Sequence, residues 1–208
     1  MADVKWLGHT CLRIRGRDAT VLMDPATRDQ GVVMPKQKAD IVTLSLKRMA
    51  PGALGGVEGE YTLIDGPGEY EVQDVFINGI RTKRGTYGPP DFNTMYLIRL
   101  EEMTFCHLGN LGQPLTDAQV AALGNVDVLF VPIGGQDTLT ISGATEVIGQ
   151  VEPRLVIPMR YHLREETGKR ALGEFAAALG LSEVPREDRL NLRKATLPDS
   201  MSVTVLDV

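Results

Sequence analysis

The pattern of apolar residues changes halfway along the chain, and this change limits the folds that it can adopt. The first half is dense in short β patterns, and it begins with a meander at residues 4–7, 11–15 and 20–23. A continuous apolar run at 41–46 predicts a strand buried on both faces. Further strands are predicted at 61–64, 70–72, 75–81, 94–100 and 104–107.

In the second half, predicted helices alternate with buried strands at 126–133, 155–161 and 203–206. Thr116, with Gln119 three residues later, forms a capping box that opens a helix ending near Gly124. Ser142 is the predicted N-cap of a second helix. Apolar residues at 172, 175, 176 and 179 mark one face of a third helix, closed by Gly180. This alternation predicts a sheet covered by helices, with the strand-rich half forming a second sheet packed on it.

Composition narrows the class of protein. A chain of 208 residues with 43% hydrophobic and 24% charged residues fits one globular domain, residues 1–208. Its net charge of -5 gives no general electrostatic reason to bind nucleic acid or an anionic membrane. We see no signal peptide and no membrane-spanning stretch, and we expect Cys11 and Cys106 to be reduced core thiols of a cytoplasmic protein.

Six segments in a consistent order carry a resemblance to a known family. They are Trp-Leu-Gly-His-Thr-Cys at 6–11, Asp-Pro at 24–25, Gly-Pro-Gly-Glu-Tyr-Glu-Val at 66–72, His-Leu-Gly-Asn-Leu-Gly at 107–112, Val-Pro-Ile-Gly-Gly at 131–135 and Val-Ile-Pro-Met-Arg-Tyr at 156–161. The chain resembles the metallo-β-lactamase fold superfamily, in the small Zn-dependent hydrolase-like branch related to L-ascorbate-6-phosphate lactonase. The resemblance implies an α/β four-layer αββα sandwich, with the site at one edge of the paired sheets and zinc or manganese as cofactor.

The metal-ligand positions that the resemblance implies hold unsuitable residues. The family's His-x-His-x-Asp-His motif falls on residues 46–51, which read Leu-Lys-Arg-Met-Ala-Pro. The next family histidine falls on Arg84, the bridging aspartate on Asn110, a further histidine on Gln113 and the last histidine on Arg160. Arginine cannot ligate these metals, and an amide is a poor, uncharged ligand. We therefore expect no metal cofactor and no hydrolytic centre.

The chain has three histidines, whereas a two-metal centre of this kind takes about five imidazoles plus carboxylates. His9 matches a family position close to the site, although it could equally be hydrogen-bonded to loop backbone. His9, His107 and His162 could together hold one zinc, provided that a strand continues past Arg160 so that His162 faces the same side. Nothing in their spacing demands such a site.

Arginine stands at three of the former histidine positions, Arg48, Arg84 and Arg160. If they converge at a spacing of roughly 8 Å, each pair repels by about 2 kcal/mol at an effective dielectric of 20. The cluster then needs a bound anion, side chains that point outward to solvent, or carboxylate partners such as Asp24 and Glu69. Asp24 also fits a routine turn after a strand.

Three functions are consistent with these residues. The first is a catalytically degenerate, metal-free protein that binds a small phosphate- or carboxylate-bearing ligand at Arg48, Arg84, Arg160, Asn110 and His9, with Asp24 and Gln113 behind them. The second is a hydrolase of a small phosphorylated or lactone substrate with a non-standard metal site. The third is a structural subunit of a homo-oligomer.

Overall fold

The computed structural model describes residues 1–47, 50–85, 91–135, 137–161 and 165–208. Arg48 and His162 lie outside the described residues. In chain order the strands are β1 Ala2–Gly8, β2 Cys11–Arg15, β3 Thr20–Met23, β4 Gln37–Lys38, β5 Ile41–Thr43, β6 Val57–Glu58, β7 Thr62–Ile64, β8 Gly68–Val72, β9 Val75–Arg84, β10 Asp91–Leu100, β11 Met103–His107, β12 Val128–Pro132, β13 Leu155–Met159, β14 Arg186–Glu187, β15 Leu190–Leu192, β16 Ser202–Val203 and β17 Val205–Leu206. The helices are α1 Ala50–Ala53, α2 Asp117–Leu123, α3 Ile141–Val151 and α4 Glu166–Ala178.

Two mixed sheets form the frame. The six-stranded sheet has the order β15-β1-β2-β3-β5-β7, and the seven-stranded sheet has the order β16-β13-β12-β11-β10-β9-β8. Hairpins join β1, β2 and β3, and they also join β8 through β11, so these strands are antiparallel. From β11 to β13 the strands are parallel, because α2 and α3 carry the chain back between them. The predicted αββα architecture is confirmed.

One apolar cluster joins the inner faces of both sheets. Its largest fully buried side chains include Trp6 from the first sheet and Phe105 and Phe130 from the second. Phe175 adds α4 to the same cluster, as the predicted helix face requires. Both cysteines are free and buried, which confirms them as core thiols, and burial raises the pKa of each to about 12.

Local signals placed some element ends correctly and others wrongly. The capping box at Thr116 is formed, and the backbone N–H of Gln119 donates to Thr116 Oγ1 at 3.3 Å. The predicted N-cap at Ser142 is wrong, because Thr140 Oγ1 accepts the Gly143 N–H at 3.1 Å and starts the helix earlier. The strand expected at 41–46 ends at Thr43, and that expected at 203–206 is two short strands in different sheets.

No helix in the described ranges is both long enough and apolar enough to cross a membrane.

A buried tyrosine hydroxyl connects the two sheets. Tyr96 of β10 donates to the Leu44 carbonyl at 2.9 Å, and its hydroxyl also lies 3.2 Å from the Ile64 carbonyl. Tyr96→Phe is expected to lower the free energy of unfolding by about 1–3 kcal/mol, because a buried carbonyl loses its partner. Tyr70→Phe, at a half-buried hydroxyl, is the control and should change stability by about 0.5 kcal/mol or less. Equal urea midpoints for the two variants would contradict this role of Tyr96.

Candidate functional site

The candidate site lies where strands of both sheets end at the same edge. His9 follows β1, Asp24 follows β3, Asn110 follows β11 and Arg160 follows β13. Three of these residues have positive φ angles: His9 at 52°, Asp24 at 43° and Arg160 at 61°. Such a backbone costs of order 1–3 kcal/mol at a non-glycine residue, so the surroundings must hold it in place. Asp137, on the loop after β12, has the same conformation at 61°.

A chain of buried hydrogen bonds joins three of the strand ends. Asp24 accepts the Ser45 N–H at 2.6 Å through Oδ1 and the Ser45 hydroxyl at 2.5 Å through Oδ2. Asn110 Nδ2 donates to Ser45 Oγ at 3.1 Å, and the Asn110 N–H donates to Asn93 Oδ1 at 2.8 Å. Asp24, Ser45 and Asn110 are each 1–2% exposed, and Asn93 is completely buried. We call these four residues the polar chain.

The polar chain continues into the second sheet and requires a glycine beside it. Asn93 Nδ2 donates to Thr82 Oγ1 at 2.8 Å and to the Leu108 carbonyl at 2.9 Å. Gly109 has a φ of 59°, and a Cβ added there would lie 2.6 Å from Asn93 Oδ1 and overlap Ser45 as well. The Leu-Gly-Asn segment therefore keeps its glycine for a close approach of backbone to side chains.

Arg160 turns its side chain toward the loop after β12. Its Nη1 donates to the Gly134 carbonyl and to Thr138 Oγ1, both at 2.9 Å. A Cβ on Gly135 would lie 2.5 Å from that Nη1, so this glycine also allows a close approach. Burial lowers the pKa of the guanidinium, and the charges of Asp137 and Asp24 act in the opposite direction. The group stays charged, since the ordinary pKa of arginine is above 12.

Arg84 lies on the other side of the same loop and has carboxylate partners. Its Nη1 is 2.9 Å from Asp91 Oδ2, and its Nη2 is 3.5 Å from Asp137 Oδ2. Arg84 and Arg160 therefore both lie near Asp137, and they do not point into one shared open cleft. Of the carboxylates suggested as partners, Asp24 acts on Arg160 only through its charge, and Glu69 lies in β8 beside a different cavity.

The described histidines have backbone and hydroxyl partners. The His9 carbonyl accepts the Trp6 indole N–H at 2.8 Å and the Arg160 N–H at 2.9 Å, so it ties β1 to the end of β13. The Nδ1 atom of the His9 ring lies 3.1 Å from Thr10 Oγ1. His107 is completely buried, with Nε2 2.9 Å from the Thr10 carbonyl, and burial lowers its pKa.

The strand expected at 155–161, on which the three-histidine zinc site depends, is shorter than predicted. It ends at Met159, and Arg160 has a positive φ angle. His162 itself lies outside the described residues. Within the described ranges, no three His, Cys, Asp or Glu side chains are grouped so that they could hold a metal ion.

The last of the predicted site positions has no hydrogen-bond partner among the described residues. Gln113 is half-buried and makes no hydrogen bond with any described residue. Sequence reasoning missed Ser45, Asp91, Asp137 and Thr138. The available signal for Ser45 was its position as a polar residue inside the apolar run at 41–46, while the other three depend on register and loop conformation.

A cavity of about 250 Å³ opens beside Arg160. His9, Gly134, Gly135, Arg160 and Tyr161 line it from the strand ends, and Thr167, Gly168 and Ala171 line it from the first turns of α4. The start of a helix carries a partial positive charge, so α4 and Arg160 both favour a negative group in this space. We call it the Arg160 cavity.

Comparisons with known proteins agree with this architecture. A Beta-lactamase superfamily domain model matches residues 3–160. A UPF0173 metal-dependent hydrolase of Pyrococcus abyssi is 26% identical over 78% of this chain and 85% of its own length, and its counterpart in Pyrococcus horikoshii is 27% identical over the same shares.

A solved structure extends the match to nearly the whole chain. It is a Thermotoga maritima protein whose name proposes a Zn-dependent hydrolase of the metallo-β-lactamase superfamily. It is 30% identical, covers 99% of this chain and 98% of its own, and has a TM-score of 0.81. A hydrolase-named structure from Parabacteroides distasonis shares the fold at 15% identity and a TM-score of 0.66. The chain therefore belongs to the metallo-β-lactamase superfamily.

Proposed function

We propose that this chain is a metal-free member of its superfamily that binds a small anion in the Arg160 cavity. The ligand would carry a phosphate or carboxylate group, and no hydrolysis would take place. The observation that carries the proposal is the polar chain, in which Asn110 donates an amide N–H to Ser45 at the position of the family's bridging aspartate. Where the family has a charged carboxylate, this amide N–H is directed at Ser45, so the position offers a cation no negative charge.

By their chemistry, the described residues do not fit the two-metal centre that the family implies. Arg84 and Arg160 are cations that cannot ligate zinc or manganese. Both Asp24 oxygens already accept hydrogen bonds from Ser45. His107 Nε2 contacts the Thr10 carbonyl, which leaves only its Nδ1 without a partner, and no group of three His, Cys, Asp or Glu among the described residues could hold a metal ion. The proposed function therefore involves no metal.

The charge and the size of the cavity support a small anion as the ligand. Arg160 supplies a charged group at the wall of the cavity, and the first turn of α4 faces the same space. Ala171 of α4 adds an apolar wall. At about 250 Å³ the cavity suits an anion of few atoms rather than a drug-sized molecule.

A metal-dependent hydrolase is the second candidate, because the names of the relatives support it better than they support a metal-free protein. That candidate needs metal ligands that the described residues do not supply. Residues outside the described ranges would have to complete the site. Under it, added Zn²⁺ or Mn²⁺ should raise the unfolding temperature through preferential binding to the folded state. Our proposal expects no change.

The first test changes the cavity. Titration with inorganic phosphate and with citrate should give saturable binding to the wild type, and Arg160→Gln should weaken it about tenfold or more, because a charge-assisted contact is lost. Since Arg160 also holds the loop after β12, Ala171→Glu is a second variant that places a negative charge in the cavity from α4 alone. Arg99→Gln, at an exposed arginine on β10, is the control. Absence of binding in the wild type, or equal binding in all variants, contradicts the proposal.

The second test returns an acidic residue to the position of the family's bridging aspartate, residue 110. Asn110→Asp should lower the free energy of unfolding by about 3 kcal/mol at pH 7, because it removes the donor to Ser45 and buries a second carboxylate near Asp24. The pKa of the introduced carboxyl would be raised in the folded state. The deficit should therefore fade as the pH falls toward about 4, where the unfolded chain also becomes protonated.

Asn78→Asp, at a half-buried site on β9, is the matched control and should change stability by about 0.5 kcal/mol or less. Urea unfolding across pH measures both variants. An Asn110→Asp protein as stable as the wild type at pH 7 would show that the centre accommodates an acid, as a metal site does, and would count against the proposal.

A further inference from the structure

A group of cationic side chains lies on the first sheet, away from the candidate site. In the first sheet, Asp3 pairs with Arg15, and Lys5 pairs with Arg13, across β1 and β2. Leu12 and Ile14 of β2 are completely buried, so Arg13 and Arg15 point to the opposite, outer face of the sheet. Asp3 is five residues before Gly8 on β1, or about 17 Å from the His9 edge.

Like charges face each other on this surface. Lys5 and Arg13 are directly opposite in register, an arrangement that is destabilising unless another group compensates it. Asp3 compensates Arg13 diagonally, with its Oδ1 2.9 Å from Arg13 Nη2. Lys5 and Arg15 make no hydrogen bond or ion pair with any described side chain.

A third segment brings another arginine to the same place. Arg189 directly precedes β15, whose Leu190 pairs with Val4 of β1. Arg189 is exposed and has no ion pair within the described ranges. Together with Arg13, Arg15 and Arg17 it lines a cavity of about 520 Å³, which we call the arginine cavity.

The charges around the arginine cavity do not balance. Six cationic groups (the Met1 ammonium, Lys5, Arg13, Arg15, Arg17 and Arg189) stand against three carboxylates (Asp3, Asp18 and Glu101), an excess of three positive charges. Asp18 pairs with Arg17 at 2.9 Å, and Glu101 pairs with the Met1 ammonium and accepts the Arg17 N–H at 2.7 Å. The excess therefore lies on Lys5, Arg15 and Arg189. The chain as a whole has a net charge of -5, so this local positive excess does not follow from its overall composition.

We propose that the arginine cavity binds a small anion that carries a diphosphate group. Such a ligand supplies the two or more negative charges that balance Lys5, Arg15 and Arg189, and it removes the repulsion between opposite strands. Phosphate oxygens match the planar fork of arginine, which can bind them bidentately from several directions. A volume of about 520 Å³ lies within the usual range of ligand pockets. This site is separate from the Arg160 cavity and does not depend on the function proposed there.

Isothermal titration with inorganic pyrophosphate, in about 0.15 M salt to screen non-specific attraction, tests the proposal. The wild type should show a pyrophosphate site that persists in Ala171→Glu, and the double variant Arg15→Gln/Arg189→Gln should bind at that site at least tenfold more weakly. Arg28→Gln/Arg170→Gln removes the same net charge from exposed arginines elsewhere and should bind like the wild type. Ala171→Glu should also bind pyrophosphate here unchanged, which separates this site from the Arg160 cavity.

A second readout excludes an effect on folding. Both double variants change exposed side chains, so each should unfold cooperatively in urea. Pyrophosphate should raise the unfolding temperature of the wild type and of the Arg28/Arg170 control by more than that of the Arg15/Arg189 variant. The proposal is overturned if the wild type does not bind pyrophosphate, or if the two double variants bind it equally.

Discussion

The hydrogen bonds from Asp24 through Ser45 and Asn110 to Asn93 are the interaction on which the rest of the site depends. They join the ends of β3, β5 and β11 at the edge where the two sheets meet. In a low-dielectric interior such a chain is strong only if every member has a partner, and an added carboxylate or a missing donor is expensive. The same chain that holds the strand ends together therefore restricts what the site can bind.

The two described arginines extend this restriction to the neighbouring loop. Asp137 lies between Arg84 and Arg160, so both positive charges are partly balanced within the protein. The positive charge that sequence reasoning expected at the former metal site is consequently smaller than the arginine count suggests. On the outer face of the first sheet the reverse holds, because Lys5, Arg15 and Arg189 exceed the carboxylates around them.

The sequence predicted the sheets well because strand patterns and family segments are local. The bounds of β2 and β3 were correct. Asp24, Asn110 and Arg160 follow β3, β11 and β13, while their role as a binding site stays a prediction. The partners of the arginines were not predictable in this way. Asp91 meets Arg84 through the register of β9 with β10, and Asp137 meets it through a loop residue with a φ of 61°. Neither relation has a signal in residue spacing, and the role of Arg48 stays a prediction.

Metal content measures the central claim most directly. The protein, purified without chelator and without added metal, can be analysed by inductively coupled plasma mass spectrometry against a chelator-treated sample. Within the part of the chain that the structure describes, no group of three His, Cys, Asp or Glu side chains could hold a metal ion, so we expect well below about 0.1 equivalent of zinc, manganese or iron. About one or two equivalents of a transition metal, retained through gel filtration, would contradict the account and favour the hydrolase that the names of the relatives suggest.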